Sequence, residues 1–121
     1  MAWKVRENAY APYSKFPVGA ALLGRSGQVF AACNVENISY GLTLCAERGA
    51  VAQAIAAGER DFASIAIVSD SKVPVSPCGA CRQILAEFAP DLAVVCENRQ
   101  GVRYSGSLHE LLPRAKDGIL G

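Results

Sequence analysis

Three cysteines in two short motifs place the tightest constraint on how this chain can fold. Cys45-Ala46-Glu47 is followed by Pro77-Cys78-Gly79-Ala80-Cys81, with Cys78 lying 33 residues after Cys45. Each group stands at the start of a predicted helix, so two helix N-termini must meet if the sulfurs share one ion. Three thiolates can hold zinc and leave its fourth position open. A carboxylate two residues from one ligand can handle protons at that position. This is a layout for hydrolysis; a closed structural site takes four protein ligands.

The rest of the 121-residue chain supplies elements that can bring the motifs together. Residues 2–10 read as a short helix anchored by Trp3 and ended by Ala11 and Pro12. Residues 18–23 and 28–35 read as strands joined by a hairpin loop from Gly24 to Gly27. Residues 37–42 show no period and read as loop. Residues 44–57 are alanine-rich and predict a helix, with Thr43 as N-cap and Gly58 as its end. That helix is apolar almost all round, which predicts packing between the sheet and another subunit. Residues 64–69 read as a strand and 81–89 as an amphipathic helix stopped by Pro90. Strands over 92–96 and 101–104 follow, then a short helix over 108–112 capped by Ser107.

The order β-β-α-β-α-β-β-α predicts one α/β domain over residues 1–121. Helices between strands imply parallel neighbours and a covered sheet, hence a three-layer α/β/α architecture with a mixed five-stranded sheet flanked by helices. The last two strands are separated only by Glu97-Asn98-Arg99-Gln100. A parallel crossover needs a dozen or more residues, so this pair is expected to be antiparallel.

Charge and composition narrow the class of ligand. Twelve basic residues against eleven acidic ones give a net charge of +1, with no basic run to follow a nucleic-acid or anionic-membrane surface. A small, near-neutral ligand fits better. Charged residues between Met1 and Glu7 stand where a secretory leader would be apolar, and no stretch is long and apolar enough to span a bilayer. Five cysteines, an odd number, fit a reduced cytoplasmic chain with thiols free for metal.

The Cys78–Cys81 spacing alone is equally that of a redox dithiol or half a zinc ribbon. The upstream Cys45-Ala46-Glu47 favours a three-sulfur zinc site. His109, the single histidine, sits far along the chain and reads as a surface residue. An all-sulfur zinc centre is anionic and needs positive help. Two helix N-termini offer roughly half a charge each. Arg48 is expected to donate hydrogen bonds to the thiolates from behind, although an ordinary surface arginine is the plain alternative. Glu47 would suit the first turn of any helix, but beside Cys45 it reads as the general acid/base. Cys33 and Cys96 read as buried structural thiols.

Together these residues resemble the zinc-dependent cytidine deaminase superfamily, whose Cys₃ variant pairs the metal with a glutamate that is not a ligand. Residues 11–23 (APYSKFPVGAALL), 33–37 (CNVEN), 76–83 (SPCGACRQ) and 110–113 (ELLP) are similar to the small homotetrameric nucleoside deaminases. The resemblance covers nearly the whole chain. It implies a Zn²⁺ held by Cys45, Cys78 and Cys81, with Glu47 carrying protons. It implies that Asn34 and Glu36 grip the ribose hydroxyls and that Phe16 packs against the pyrimidine. It also implies that Ala46 and Ser76 read the base edge through their backbone. The implied reaction is hydrolytic deamination of cytidine and deoxycytidine to uridine and deoxyuridine, releasing ammonia, in pyrimidine salvage. The partners implied are a nucleoside substrate and three further copies of the chain, with no nucleic acid or membrane. One departure from the pattern is Lys116, which stands where an aromatic commonly follows the ELLP motif.

Two other readings stay open from sequence. A deaminase of a cytosine-containing aminonucleoside antibiotic shares the zinc motifs, though Asn34, Glu36, Asn37 and Phe16 favour ordinary nucleosides. A non-catalytic structural zinc module needs a fourth ligand, which Cys33 or Cys96 would have to supply in the fold.

Overall fold

The computed structural model describes residues 1–115 of the chain, so Lys116 lies outside the described residues. Five strands form one sheet: β1 Gly19–Gly24, β2 Val29–Cys33, β3 Phe62–Val68, β4 Ala93–Glu97 and β5 Arg103–Ser107. Their spatial order is β2-β1-β3-β4-β5. Among the described residues four α-helices accompany them: α1 Ala2–Arg6, α2 Ala46–Ala56, α3 Gly79–Phe88 and α4 Leu108–Leu111. The architecture is the expected mixed sheet flanked by helices.

Alternation along the strands selects the core face. Ala20 and Leu22 of β1, Ile65 and Ile67 of β3, and Val94 and Cys96 of β4 are buried together with Ala50, Val51 and Ala54 of α2 and Leu85 and Ala86 of α3. Period-two side chains put these strand residues on one face, so α2 and α3 share that layer. The opposite layer is α1, which packs on β1, β2 and β3. At Gly19, a Cβ atom would lie 2.2 Å from the Ala2 carbonyl oxygen. Glycine is needed there so that α1 can approach the strand.

The pairing corrects one expectation. α2 joins β2 to β3, but both pair antiparallel with β1, which lies between them. The helix crossover therefore links parallel strands that are not neighbours. Only β3 and β4, joined through α3, are adjacent and parallel. β4 and β5 are antiparallel, as the short connection requires.

Several boundaries move for identifiable reasons. Helix α1 ends at Arg6 because Tyr10 forms a bridge with Val35, donating to the Asn34 carbonyl and accepting from the Glu36 amide. Residues 37–42 contain a 3₁₀ turn, Tyr40–Leu42. α2 begins two residues later than predicted because Leu44 pairs with Val35. Its N-cap is Cys45, not Thr43. β5 begins at Arg103 because Asn98 prolongs the preceding turn: its buried side-chain oxygen accepts from the amides of Gln100 and Val102. Ser107 caps α4 as predicted, accepting from the Glu110 amide.

α1 is fastened to the sheet by polar contacts. The Trp3 indole donates to Glu97 Oε1 at 3.0 Å, and Glu97 Oε2 pairs with Arg103. The buried Arg6 guanidinium reaches Asp70, whose other oxygen accepts from Arg99 at 2.8 Å. The Arg99 guanidinium also lies 4.9 Å from the Trp3 ring centre. These contacts tie α1 to the hairpin of β4 and β5 and to the start of the 69–77 loop.

Candidate active site

The site forms where the N-termini of α2 and α3 converge, beside the C-terminal end of β3. In open α/β sheets this end of the strands is where ligands bind. Cys45 and Cys78 occupy the N-cap positions of their helices, with extended backbone, and neither makes a side-chain capping bond. A serine or aspartate there would spend its oxygen on the helix amides. The cysteines instead keep their sulfurs free, and both helix dipoles point at them.

The sulfurs of Cys45, Cys78 and Cys81 lie within 4.8 Å of one another. Cys78 Sγ and Cys81 Sγ are 3.4 Å apart. Sulfurs around a tetrahedral zinc at roughly 2.3 Å from each would sit roughly 3.8 Å apart, so the trio fits that ion. Cys81 is buried, Cys45 half-buried and Cys78 exposed, so the cluster opens on one side. Cys96 is a buried free thiol of β4, pushed up to about 11 chiefly by burial.

Thiol charges in the cluster are unequal. A hydrogen bond from Cys81, helped by Arg48 and Cys78 against the effect of burial, draws the Cys45 thiol down to about 5. The bond to Cys45, burial and the Glu47 charge push the Cys81 thiol well up. Within the cluster the Cys45 thiol is therefore drawn down and the Cys81 thiol pushed up.

Arg48 lies one turn into α2. Its Nη2 donates to the Thr43 carbonyl at 3.1 Å and to Cys45 Sγ at 3.5 Å. Its Nε is buried with no hydrogen-bond partner among the described residues. Cationic charge is therefore held against the sulfurs by a residue that an exposed helix position would have sent to solvent. Glu47 is only 6% exposed. Burial, and then the Cys45 charge, raise its carboxyl above the usual range, with its own backbone amide opposing. A carboxyl raised in this way takes up a proton more readily than an ordinary glutamate, which suits a proton carrier.

A cavity of about 160 Å³ lies over the cluster. Its walls include Asn34, Thr43, Ala46, Glu47, Ser76 and Cys78. A neighbouring cavity of about 220 Å³ is lined by Tyr13, Ser14, Glu36, Tyr40 and Thr43. Asn34, Ala46, Glu47 and Ser76 are therefore brought together with the sulfurs, while Glu36 borders the adjoining space. Phe16 and Arg48 line neither cavity. Asn34 and Glu36 are also less free than their spacing suggests. The Asn34 side chain accepts from the Val18 amide at 2.9 Å and donates to the Phe16 carbonyl at 3.0 Å. Glu36 accepts from the amides of Tyr13 and Ser14 and from the Ser14 hydroxyl.

Two further residues enter the site that the sequence did not mark as functional, Thr43 reading as a helix cap and Arg82 as a solvent-facing side chain. Thr43 lines both cavities and offers its carbonyl to Arg48, where a helix cap was expected. Arg82 donates to the Pro77 carbonyl at 2.7 Å, the Ser76 hydroxyl at 3.2 Å and the Leu111 carbonyl at 2.9 Å. Its place next to Cys81 was the available signal.

Comparison with known proteins gives a consistent result. Residues 1–97 match the family described as the cytidine and deoxycytidylate deaminase zinc-binding region. The cytidine deaminase of Halalkalibacterium halodurans is 53% identical over 115 residues, covering 94% of this chain and 87% of that protein. The blasticidin-S deaminase of Bacillus cereus is 35% identical over 108 residues, covering 83% and 76% of the two chains. Among solved structures, the cytidine deaminase from Burkholderia pseudomallei superposes with a TM-score of 0.90 at 53% identity, covering 93% of this chain and 91% of that one.

Proposed function

The chain belongs to the cytidine and deoxycytidylate deaminase zinc-binding family, and on that premise we propose that it hydrolyses the 4-amino group of cytidine and 2′-deoxycytidine, yielding the uracil nucleosides and ammonia. The observation that carries the reading is the buried Glu47 carboxyl on the wall of the cavity that also exposes Cys45 and Cys78. Cys45, Cys78 and Cys81 would hold a zinc ion, which would supply Lewis-acid activation of water when bound.

Glu47 takes a proton from the attacking water, passes it to N3 of the base and then protonates the departing amine. Its raised carboxyl suits both halves of that exchange. The backbone at Ala46 and Ser76 orients the base edge within the cavity. Asn34 and Glu36 hold the sugar, and Phe16 packs against the pyrimidine from the segment they anchor. Arg48 offsets the negative charge of the sulfurs through its contact with Cys45 Sγ.

The sugar contacts support ordinary nucleosides over a free base. Among the described residues, Glu36 has about one unused lone-pair site after two backbone amides and the Ser14 hydroxyl, and Asn34 has one unused N–H. That pair serves one hydroxyl well and leaves little dedicated to a second, which supports acceptance of both ribo- and deoxyribonucleosides. The 35% identity to a blasticidin-S deaminase makes the aminonucleoside a second substrate to assay.

Within this reading the enzyme serves pyrimidine salvage in the cytoplasm as a homotetramer. Support for assembly comes from an exposed apolar strip beside the site, with Ile38, Tyr40 and Leu42 each more than 70% exposed. No helix among the described residues is long and apolar enough to cross a membrane. One hydrophobic core joining four strands with α2, α3 and α4 supports a single domain over residues 1–121.

The deciding experiment measures ammonia release from cytidine, deoxycytidine and blasticidin S by wild type and Glu47→Gln, with zinc quantified in both. Zinc-loaded variant protein with activity reduced by about 10²–10⁴-fold is the expected result. Survival of full activity in Glu47→Gln would overturn the mechanism.

A further inference from the structure

Ser14 is exposed in the segment between Pro12 and Phe16, and its hydroxyl is used in two directions. It donates to Glu36 Oε2 and accepts from the Phe16 amide at 3.0 Å. The bond to Phe16 is local, of the kind serine makes in many turns. The bond to Glu36 spans 22 residues and reaches a carboxylate on a cavity wall. Lys15, between the two bonded residues, has φ of 59°, a left-handed conformation that a lysine adopts only when its surroundings fix it.

Glu36 Oε1 is held by the Tyr13 amide at 3.0 Å and the Ser14 amide at 3.1 Å. Those two bonds fix one oxygen and leave the carboxylate free to swing about it. The Ser14 hydroxyl on Oε2 removes that freedom. Because the same hydroxyl receives the Phe16 amide, the carboxylate and the Phe16 backbone are set by one atom.

We propose that Ser14 is a positioning residue for substrate: it fixes the Glu36 carboxylate in its sugar-binding orientation and locks the Phe16 turn to it. The inference rests on the reading of Glu36 as the sugar ligand. A glutamate that is ordered before the nucleoside arrives spares binding the cost of ordering it. An effect of this kind acts on ground state and transition state alike, so it appears in KM and not in kcat. The hydrogen bond from Ser14 is also the leading cause that draws the Glu36 carboxyl below the usual range, with Lys15 the one charged neighbour contributing.

The test uses the zinc-loaded full chain in four forms: Ser14→Ala, Ser14→Thr, Glu36→Gln and the Ser14→Ala/Glu36→Gln pair. Ser14→Ala is expected to raise KM for cytidine about 5- to 20-fold, with kcat within about twofold and zinc content unchanged. Ser14→Thr keeps the hydroxyl and should recover most of the loss. The double variant should be no worse than Glu36→Gln alone. Carboxyl titration by NMR should show Glu36 moving up towards the ordinary glutamate range in Ser14→Ala.

Two outcomes separate the layers of the argument. If Glu36→Gln leaves KM unchanged, the sugar-ligand reading fails and the proposal falls with it. If Glu36→Gln raises KM while Ser14→Ala does not, the reading stands and the role of Ser14 is overturned. A kcat loss in Ser14→Ala that adds fully to Glu36→Gln likewise overturns it.

Discussion

The Arg48 guanidinium reaches back across the first turn of α2 to within 3.5 Å of Cys45 Sγ. A cation thus stands beside one of the three clustered sulfurs. Removing it should loosen the metal before it harms the chemistry. Arg48→Ala is expected to weaken zinc binding about 10–100-fold, as loss of groups behind metal ligands generally does. Competition against a chromogenic chelator reads this directly. Wild-type metal retention in Arg48→Ala would remove Arg48 from the account of the site.

Proton release should accompany metal binding. Without metal, the Cys45 thiol is lowered and the Cys81 thiol is raised. Zinc must displace the Cys81 proton, so affinity should rise by at least about tenfold per pH unit between about pH 6 and pH 8. Chelator competition at several pH values measures the slope. A flat profile would contradict the raised Cys81 thiol.

The sugar contacts predict a pattern among substrate analogues. Glu36 already accepts three hydrogen bonds from residues 13 and 14. With about one lone-pair site left, it can serve a single hydroxyl. Deoxycytidine should retain kcat/KM within about fivefold of cytidine, and a 3′-deoxy analogue should lose about 10–100-fold through KM. Equal losses from removing either hydroxyl would contradict this count.

Gly19→Ala tests the seat of α1. The new methyl carbon would meet the Ala2 carbonyl at 2.2 Å and Arg6 Cβ at 2.9 Å. Helix α1 must shift, and overpacking of this kind costs about 1–3 kcal/mol. Urea denaturation gives the value. An unchanged midpoint would show that α1 is held only loosely.

The Trp3–Glu97 bond carries a pH signature. The indole N–H, and after it Arg103, hold the Glu97 carboxyl below the usual range. A depressed folded-state value adds stability above the unfolded value and loses it as pH falls through the folded one. Trp3→Phe should therefore destabilise the protein by a larger margin at neutral pH than in acid. A pH-independent remainder will persist from lost packing and from the Arg99 contact. Melting temperatures of both proteins across pH 3–7 give the difference curve. A constant gap would rule out the hydrogen bond as the source.

The parts of this fold that a sequence records well are local ones. Apolar runs such as Ile65-Ala66-Ile67 announce strands, and the four residues 97–100 leave room only for a hairpin. The cysteine spacing marks both helix N-termini because N-cap geometry itself presents the sulfurs. What the sequence conceals is non-local. Insertion of β1 between β2 and β3 depends on which faces bury together, and no single segment carries that information. Asn34 and Glu36 stand out as polar residues at a strand end, yet nothing near them signals that residues 13–18 supply their backbone partners. Asn98 extends its turn through a side chain that acts on atoms four residues away, so β5 reads too early. Thr43 resembles a cap by residue type, but its neighbour Leu44 is pulled into pairing with Val35, which moves the cap to Cys45.

Arg82 has an implication for anyone handling the protein. Its guanidinium joins the Pro77 carbonyl and Ser76 hydroxyl, just before Cys78, to the Leu111 carbonyl at the end of α4. The chain's last described helix is thereby spliced to the loop that delivers a metal ligand. An affinity tag, fusion or truncation placed just beyond Leu111 would pull on that splice and register at the sulfurs. Labels belong elsewhere, on the exposed turn around Gly27 at the far end of β1.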